Sequence, residues 1–288
     1  MILVTGATGG IGSEICKLLH EAETPFKAMV RKPEQVAKLK DMGFGAVIGD
    51  FDRPQTLAVA MRGSDTMFLL TTPNPRQVEQ ETAAIDAAKS AGVRRIVKLS
   101  ASDANVRSLI PWAKSHALID HHLRASGVEW TILKPTGFMQ NFLWYKAPIA
   151  RGFLPHVAGK GSVSLIDTRD IARVAATVLN EDGHEGASYF LTGPETLDMS
   201  QAAERLSSVI QRKVRYIDLP TPIYRAILRL TGSSRWMANG LIVQFSKMVA
   251  QHHDIDPTGE IERLTGVPPR SFTDFVRDHR HEFLASRG

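Results

Sequence analysis

Three glycines near the amino terminus, Gly6, Gly9 and Gly12, are spaced three residues apart in the segment Thr5–Gly12. A short apolar stretch precedes the segment and an amphipathic one follows it. Between a strand and a helix, the first glycine of such a segment permits a tight turn, the second lets a pyrophosphate approach the backbone, and the third lets helix and strand pack closely. The pattern predicts dinucleotide binding at a helix amino terminus; glycines kept for packing alone are the alternative. The predicted contacts are Gly6, Thr8, Gly9, Gly10, Ile11 and Gly12.

Two cations follow the second apolar stretch, where the type of dinucleotide is decided. An acidic residue at this point bonds the ribose 2′-hydroxyl of NAD. The chain has Arg31 and Lys32 instead, and their charges suit charge-assisted hydrogen bonds to a 2′-phosphate. The sequence therefore predicts NADP(H) rather than NAD(H), with two solvated surface cations as the alternative.

Polar residues also follow the later apolar stretches, where a parallel sheet binds its ligand. Asp50 is placed to accept a hydrogen bond from the adenine amino group, or else to cap the next turn. A hydroxyl at Ser100 or Ser102 suits a substrate carbonyl, although a serine-rich loop explains both equally well. The further predicted cofactor contacts are Asp50, Thr71, Thr72, Ser100, Lys134, Pro135 and Phe138.

An aromatic segment, Gly137–Tyr145, follows these residues. It suits a pocket for an aromatic acceptor, although apolar residues at this density are more often core. Trp236 begins a later apolar helix that reads as a lid over such a pocket or as plain packing. The predicted substrate contacts are Ser102, Met139, Asn141, Phe142, Tyr145 and Trp236.

The glycine turn, Arg31, Gly49-Asp50, His116–Asp120 and Lys134–Asn141 together resemble the NmrA-like atypical short-chain dehydrogenases, in the subgroup of triphenylmethane reductase and an NADPH:quinone oxidoreductase. The resemblance covers roughly residues 1–215. It implies a Rossmann lobe, NADP(H), and a small carboxyl-terminal lobe over the nicotinamide. Members of the family divide between reductases and non-catalytic redox sensors that bind transcription regulators, so the fold alone does not fix the function.

The helix that carries His116 lacks the usual catalytic pair of short-chain dehydrogenases, Tyr-x-x-x-Lys. By spacing, Trp112 stands at the tyrosine position and His116 at the lysine position. His116 and Asp120 lie four apart on one helix face, and the resembling subgroup also has a histidine and an acid there. We expect Asp120 to orient His116 as a proton donor, or both to contact cofactor or substrate without moving a proton.

The absence of a catalytic tyrosine to donate a proton restricts the chemical class of the acceptor. Reduction of a ketone makes a strongly basic alkoxide, whereas reduction of a quinone makes an aryloxide whose conjugate acid has a pKa near ~10. Reduction of a cationic dye makes no oxyanion. We therefore expect an NADPH-dependent reductase of quinone-like or electron-poor aromatic acceptors. A non-catalytic NADP(H)-sensing regulator with a protein partner, or a tailoring enzyme for aromatic natural products, is the alternative.

Predicted strands and helices alternate over the first 135 residues, and these elements can position the residues named above. Alternation implies parallel strands joined by right-handed crossovers, hence an α/β Rossmann fold: a doubly wound parallel sheet with helices on both faces. The predicted strands are Ile2–Val4, Phe26–Val30, Ala46–Ile48, Met67–Leu70, Arg95–Leu99 and Trp130–Leu133. The predicted helices between them are Ile11–His20, Glu34–Met42, Pro54–Met61, Val78–Ala91 and Trp112–Ala125.

The pattern is looser after Pro135 and predicts a smaller carboxyl-terminal α/β lobe. We expect an NAD(P)-binding Rossmann domain at 1–155, to which 165–192 returns. A substrate or lid lobe at 193–288 interleaves with 138–164. The predicted elements are helices Thr168–Leu179, Met199–Ile210, Pro222–Leu230 and Trp236–Ala250 and strands Tyr189–Leu191 and Val214–Asp218.

Amino-acid composition excludes several classes of protein. Of 288 residues, 43% are hydrophobic and 23% charged, which excludes disordered, collagenous and coiled-coil classes. No apolar run approaches the ~18 residues that span a bilayer. Lysines and arginines are scattered despite a net charge of +5, so nucleic acid is not an expected partner. A single cysteine and an amino terminus without a leader pattern predict a cytoplasmic protein.

No metal site is expected, because the adjacent pairs His121-His122 and His252-His253 do not suit a metal. A homodimer or a regulatory protein partner stays open.

Overall fold

Strands and helices alternate through the first half of the chain, as the apolar pattern predicts. The structure is a computed structural model and describes residues 1–249 and 256–284. Each predicted element of this half is present within two residues of its expected ends, except that the predicted helix Pro54–Met61 is divided into a 3-10 turn and a helix that begins at Leu57. The elements are β1 Ile2–Val4, α1 Gly10–Glu21, β2 Phe26–Val30, α2 Pro33–Asp41, β3 Gly45–Ile48, a 3-10 turn Pro54–Thr56, α3 Leu57–Met61, β4 Thr66–Leu69, α4 Gln77–Ser90, β5 Arg95–Leu99, α5 Pro111–Ala125 and β6 Glu129–Pro135.

Seven strands of the described residues pair into one sheet in the order β3-β2-β1-β4-β5-β6-β9, where β9 is Ala187–Leu191. From β3 to β6 every neighbouring pair runs parallel. The strand order reverses at β1, and a doubly wound sheet binds its ligand beyond the carboxyl ends of the strands at that point. The predicted Rossmann α/β class is confirmed.

The second half contains short elements that the sequence pattern did not predict. The missed strands are β7 Phe153–His156, β8 Ser162–Val163 and β10 Leu197–Asp198. No helix separates β7 from β8 or β9 from β10, so the strand–helix alternation that identifies the short strands of the first half is absent here. Strand β7 pairs in parallel with β11, Arg215–Asp218, and β8 pairs with β10 antiparallel. The elements are a 3-10 segment Met139–Tyr145, α6 Lys146–Ala150, β7 Phe153–His156, β8 Ser162–Val163, α7 Thr168–Asn180, β10 Leu197–Asp198, α8 Met199–Ile210, β11 Arg215–Asp218, α9 Thr221–Leu230, α10 Arg235–Val243, a π-helical turn Gln244–Met248, α11 Glu260–Thr265, α12 Phe272–Asp278 and α13 Arg280–Leu284.

The predicted helix Trp236–Ala250 is divided in the structure. Helix α10 ends at Val243, and the next five residues form the π-helical turn. Ala250, the predicted end of the helix, lies outside the described residues.

The chain forms two compact units, each with its own core. The first comprises residues 1–108, 112–134 and 171–190; the second comprises 109–111, 135–170 and 191–288. Leu3, Met67 and Ile96 are buried in the core of the first unit. Phe272 and Phe275 are buried in the core of the second.

Helix α1 packs an apolar stripe against β1 and β2. The stripe includes Cys16, whose side chain is fully buried. Burial disfavours the thiolate and raises the pKa of Cys16 to about 12. Within the described stretches, no helix is both long and apolar enough to cross a bilayer.

Candidate functional site

The glycine turn joins β1 to α1 and is tied to the neighbouring strand by Thr5. The buried Thr5 hydroxyl donates to Phe68 O at 2.9 Å and accepts from Leu70 N–H at 2.8 Å. Gly6 has φ of 65°, a left-handed conformation that favours glycine. Gly9 N–H donates to Gly6 O at 2.9 Å. These bonds hold the turn in shape from the protein side.

The glycines differ in what the protein itself requires of them. A Cβ on Gly12 would overlap the carbonyl oxygen of Gly6 and would lie 2.6 Å from its carbonyl carbon. A Cβ on Gly10 would meet no atom within 4 Å. Helix α1 begins with Gly9 as its N-cap, has no side-chain cap and has no acidic residue in its first turn. Its amino-terminal N–H groups and dipole therefore suit an anion, so this turn fits the pyrophosphate of a dinucleotide.

Arg31 and Lys32 form the turn between β2 and α2, and both side chains are exposed. The Gln35 Oε1 atom accepts from the N–H groups of both residues, at 3.2 and 3.1 Å. Lys32 Nζ lies 3.8 Å from Glu34 Oε1, an exposed pair of little strength. The two cations are thus held on a fixed turn, as a 2′-phosphate site requires. The sequence reasoning missed Gln35, although glutamine three residues after an N-cap is a recognisable signal.

Asp50 and Thr71 are engaged by the protein itself. Asp50 Oδ1 accepts from Asp52 N–H at 3.0 Å, so this carboxylate caps the turn after β3. The Thr71 hydroxyl is buried and donates to Glu81 Oε1 at 2.6 Å, while Thr72 is exposed. Contact of these residues with a cofactor stays a prediction from the sequence.

A cluster of buried charges lies behind the carboxyl end of β5, centred on Lys98. Its ammonium donates to Leu99 O at 3.1 Å and to His116 Nδ1 at 3.0 Å. Asp120 Oδ1 lies at 3.1 Å and Glu81 Oε2 at 3.6 Å, without well-aligned hydrogen bonds. The Lys98 side chain is 0% exposed. The two carboxylates therefore offset a charge that would otherwise be costly to bury.

The contact with Lys98 fixes the state of His116. An ammonium group can only donate, so Nδ1 must accept and the ring proton must be on Nε2. Burial, and next the positive charge of Lys98, lower the pKa of His116 well below its usual value. Lys98 is thus the partner of Nδ1, whereas the sequence predicted that Asp120 orients this ring. His116 is a neutral imidazole at neutral pH.

Asp120 connects this cluster to the ends of β5 and β6. Its Oδ2 atom accepts from the Ser100 hydroxyl at 2.8 Å and lies 4.0 Å from Lys134 Nζ. Lys134 is the penultimate residue of β6, with a 14% exposed side chain. Ser102 is partly buried beyond β5. The predicted residues His116, Asp120, Ser100 and Lys134 are therefore brought together.

The other predicted contacts belong to the second unit. Met139 and Phe142 are buried in its core, and Phe142 packs edge-to-face on Phe272 with ring centroids 4.7 Å apart. The Tyr145 hydroxyl is 2.6 Å from that of Tyr224. Packing within this unit accounts for these residues, and their contact with a substrate stays a prediction. Pro135 is buried, and Phe138, Asn141 and Trp236 are partly buried.

His122 takes no part in this cluster. His122 Nε2 lies 2.8 Å from Asp86 Oδ1 on the surface, and the pair His252-His253 lies outside the described residues. Over residues 1–249 and 256–284, no group of three or more His, Cys, Asp or Glu is placed to hold a metal ion.

Comparison with known proteins extends over nearly the whole chain. An NAD(P)H-binding family matches residues 6–182. The NAD(P)H azoreductase of Xenophilus azovorans is 34% identical over 287 residues, which are 99% of this chain and 100% of that protein. The Citrobacter sp. triphenylmethane reductase complexed with NADP(H) aligns with a TM-score of 0.88 and 25% identity, and the NADPH complex of the Escherichia coli quinone oxidoreductase with 0.88 and 27%. Each alignment covers 96% of this chain and 99% of the other.

Proposed function

Since the chain belongs to the NAD(P)H-binding family of NmrA-like atypical short-chain dehydrogenases, we propose that it is an NADPH-dependent reductase of quinone-like or other electron-poor aromatic acceptors. The relatives named azoreductase and quinone oxidoreductase support an acceptor of this class. A homodimer and a regulatory protein partner stay predictions from the sequence.

The proposed acceptor class follows from the protonation state of His116. A short-chain dehydrogenase that reduces ketones needs a strong proton donor beside the carbonyl, and such donors contribute about 10²- to 10⁴-fold in rate. In this chain Trp112 stands at the tyrosine position, and an indole N–H is not a practical acid. His116 is kept neutral by burial and by the positive charge of Lys98. Acceptors whose reduced form is weakly basic or neutral need such a donor least.

Residues of the first unit bind and orient in this proposal. When bound, the coenzyme supplies a hydride. The amino terminus of α1 holds its pyrophosphate, and Arg31 and Lys32 hold its 2′-phosphate. His116 donates a hydrogen bond through Nε2 to a cofactor hydroxyl or to the acceptor, and Asp120 holds Ser100 in place.

An acceptor panel tests the proposed function. Purified protein is mixed with NADPH and a quinone, an azo dye, a cationic triphenylmethane dye or a simple ketone, and the loss of NADPH absorbance is measured. We expect turnover with at least one aromatic acceptor and little with the ketone. Tight NADPH binding without turnover of any acceptor would support the regulator instead.

The coenzyme preference predicts the effect of changing Arg31. The charge-assisted bonds to a 2′-phosphate are worth about 1.5–3 kcal/mol each, so Arg31→Gln should weaken NADPH binding about tenfold or more and leave NADH binding nearly unchanged. Titration calorimetry with both coenzymes measures the two dissociation constants. Lys38→Gln, an equal loss of charge at an exposed position of α2, is the control. Tighter binding of NADH than NADPH by the unaltered protein would contradict the assignment.

A further inference from the structure

A reductase of the proposed kind needs a source for one proton. Hydride transfer to a quinone leaves an anionic oxygen, and that oxygen must be protonated before the product is complete. His116 has no acidic proton to give at neutral pH, because burial and the charge of Lys98 keep it neutral and the contact with Lys98 places its ring proton on Nε2. Lys98 is fully buried and its ammonium is enclosed by Leu99, His116 and two carboxylates. Neither group of the buried cluster is therefore a suitable donor.

Lys134 differs from Lys98 in both exposure and partners. Its side chain is 14% exposed, and its Nζ atom lies 4.0 Å from Asp120 Oδ2, too far for a direct hydrogen bond. Nζ also lies over the ring of Phe190, 5.2 Å from the centroid. The ammonium thus has a carboxylate on one side and a ring on the other, and within residues 1–249 and 256–284 no acceptor lies within hydrogen-bond distance of it.

The position of Lys134 in the sheet is also suitable. It stands at the carboxyl end of β6, next to β5 and Ser100, and ligands of doubly wound sheets bind at that edge. The groups that influence it are Asp120 and Arg124 of α5 and Lys98 of β5. Burial is the main cause that lowers the pKa of Lys134 below 10.5; Asp120 opposes this, and Arg124 and Lys98 add to it. The shift makes the ammonium a stronger acid than a surface lysine.

We propose that Lys134 is the proton donor of the reaction and that Asp120 is the residue that positions it. This inference rests on the proposed reductase function. Lys134 gives one Nζ proton to the anionic oxygen of the reduced acceptor: the N–H bond breaks, an O–H bond forms, and the lysine is left as a neutral amine. The amine then takes a proton from water. The two electrons come from the bound NADPH, so one quinone, one NADPH and one proton give one hydroquinone and NADP⁺.

Two acceptors with different proton requirements test the proposal. Reduction of a cationic triphenylmethane dye adds a hydride to a carbocation and needs no proton, whereas reduction of a quinone needs one. Lys134→Met should lower kcat with the quinone about tenfold or more and leave kcat with the dye nearly unchanged, since general acids act only where a proton moves. Lys114→Met, at an exposed lysine of α5, should change neither rate.

A purely structural or cofactor-binding role predicts a different result. In that case Lys134→Met would slow both acceptors equally and weaken NADPH binding in calorimetry, and the proposal would be wrong. An unchanged quinone rate would also overturn it and would indicate protonation by water. Failure of the unaltered protein to reduce any aromatic acceptor of the panel would instead refute the proposed function, so the two failures are distinguishable.

A measurement without turnover complements these rates. In protein labelled with [ε-¹³C]lysine, the resonance that disappears in Lys134→Met is that of Lys134. Its chemical shift should titrate below 10.5, the ordinary lysine value, and Asp120→Asn should move the midpoint lower still, because the attraction of the carboxylate is lost. A midpoint at or above the ordinary value would contradict the assignment.

Discussion

Replacing Gly12 by alanine is expected to destabilise the protein by about 3 kcal/mol and to abolish coenzyme binding. The new Cβ would overlap the backbone carbonyl of Gly6 and lie 3.0 Å from Ala7 Cα. Both neighbours are backbone atoms of the same turn, so no side chain can rotate away and the start of α1 must move. The N–H groups that hold the pyrophosphate move with it. Urea unfolding and calorimetry with NADPH measure the two effects.

Gly10→Ala is the matched control for Gly12. Both positions lie in the first turn of α1, but a Cβ on Gly10 meets no atom within 4 Å and the backbone there is that of an ordinary helix. This variant should fold with unchanged or slightly higher stability, since alanine is the better helix former. If Gly12→Ala were as stable as Gly10→Ala, the close approach of α1 to the Gly6 carbonyl would be disproved.

Removing the charge of Lys98 should have an effect of similar size by a different cause. In Lys98→Met the carboxylates of Glu81 and Asp120 stay buried without the ammonium between them. Loss of one partner of a buried ion pair costs about 3–5 kcal/mol, because the other charge is left uncompensated. Urea unfolding at neutral pH should show this loss.

A charge-balanced double variant separates this cause from a simple loss of packing. In Lys98→Met with Glu81→Gln one positive and one negative charge are removed together, and a glutamine Oε1 can still accept from Thr71 and Gln77, as Glu81 Oε1 does. We expect the double variant to regain at least half of the lost stability. A double variant no more stable than Lys98→Met would show that the charges are not what matters.

The sequence predicts the first half of the fold, in which strands and helices alternate. In the first half of the chain apolar strands alternate regularly with amphipathic helices, and Thr5–Gly12 combines a strand end, a turn and a helix start in eight residues. Each of these signals is local. The family and the coenzyme class follow from them.

The buried cluster could not be derived in the same way, because its members are distant in sequence. Glu81, Lys98 and Asp120 come from α4, β5 and α5, and only the packing of these elements brings them together. A weak signal was present: Lys98 interrupts the apolar run of β5, and a charged residue in a covered strand requires a partner. The pattern does not say which partner, and the four-residue spacing of His116 and Asp120 led instead to the prediction that Asp120 orients the ring.

The burial of Cys16 has a consequence for an enzyme that handles electrophiles. Quinones arylate cysteine by conjugate addition, and the thiolate is the form that reacts. The one thiol of this chain is enclosed between α1 and the sheet, and its pKa of about 12 leaves almost no thiolate at neutral pH. We therefore expect its only cysteine to resist covalent modification by the compounds that the protein is proposed to consume.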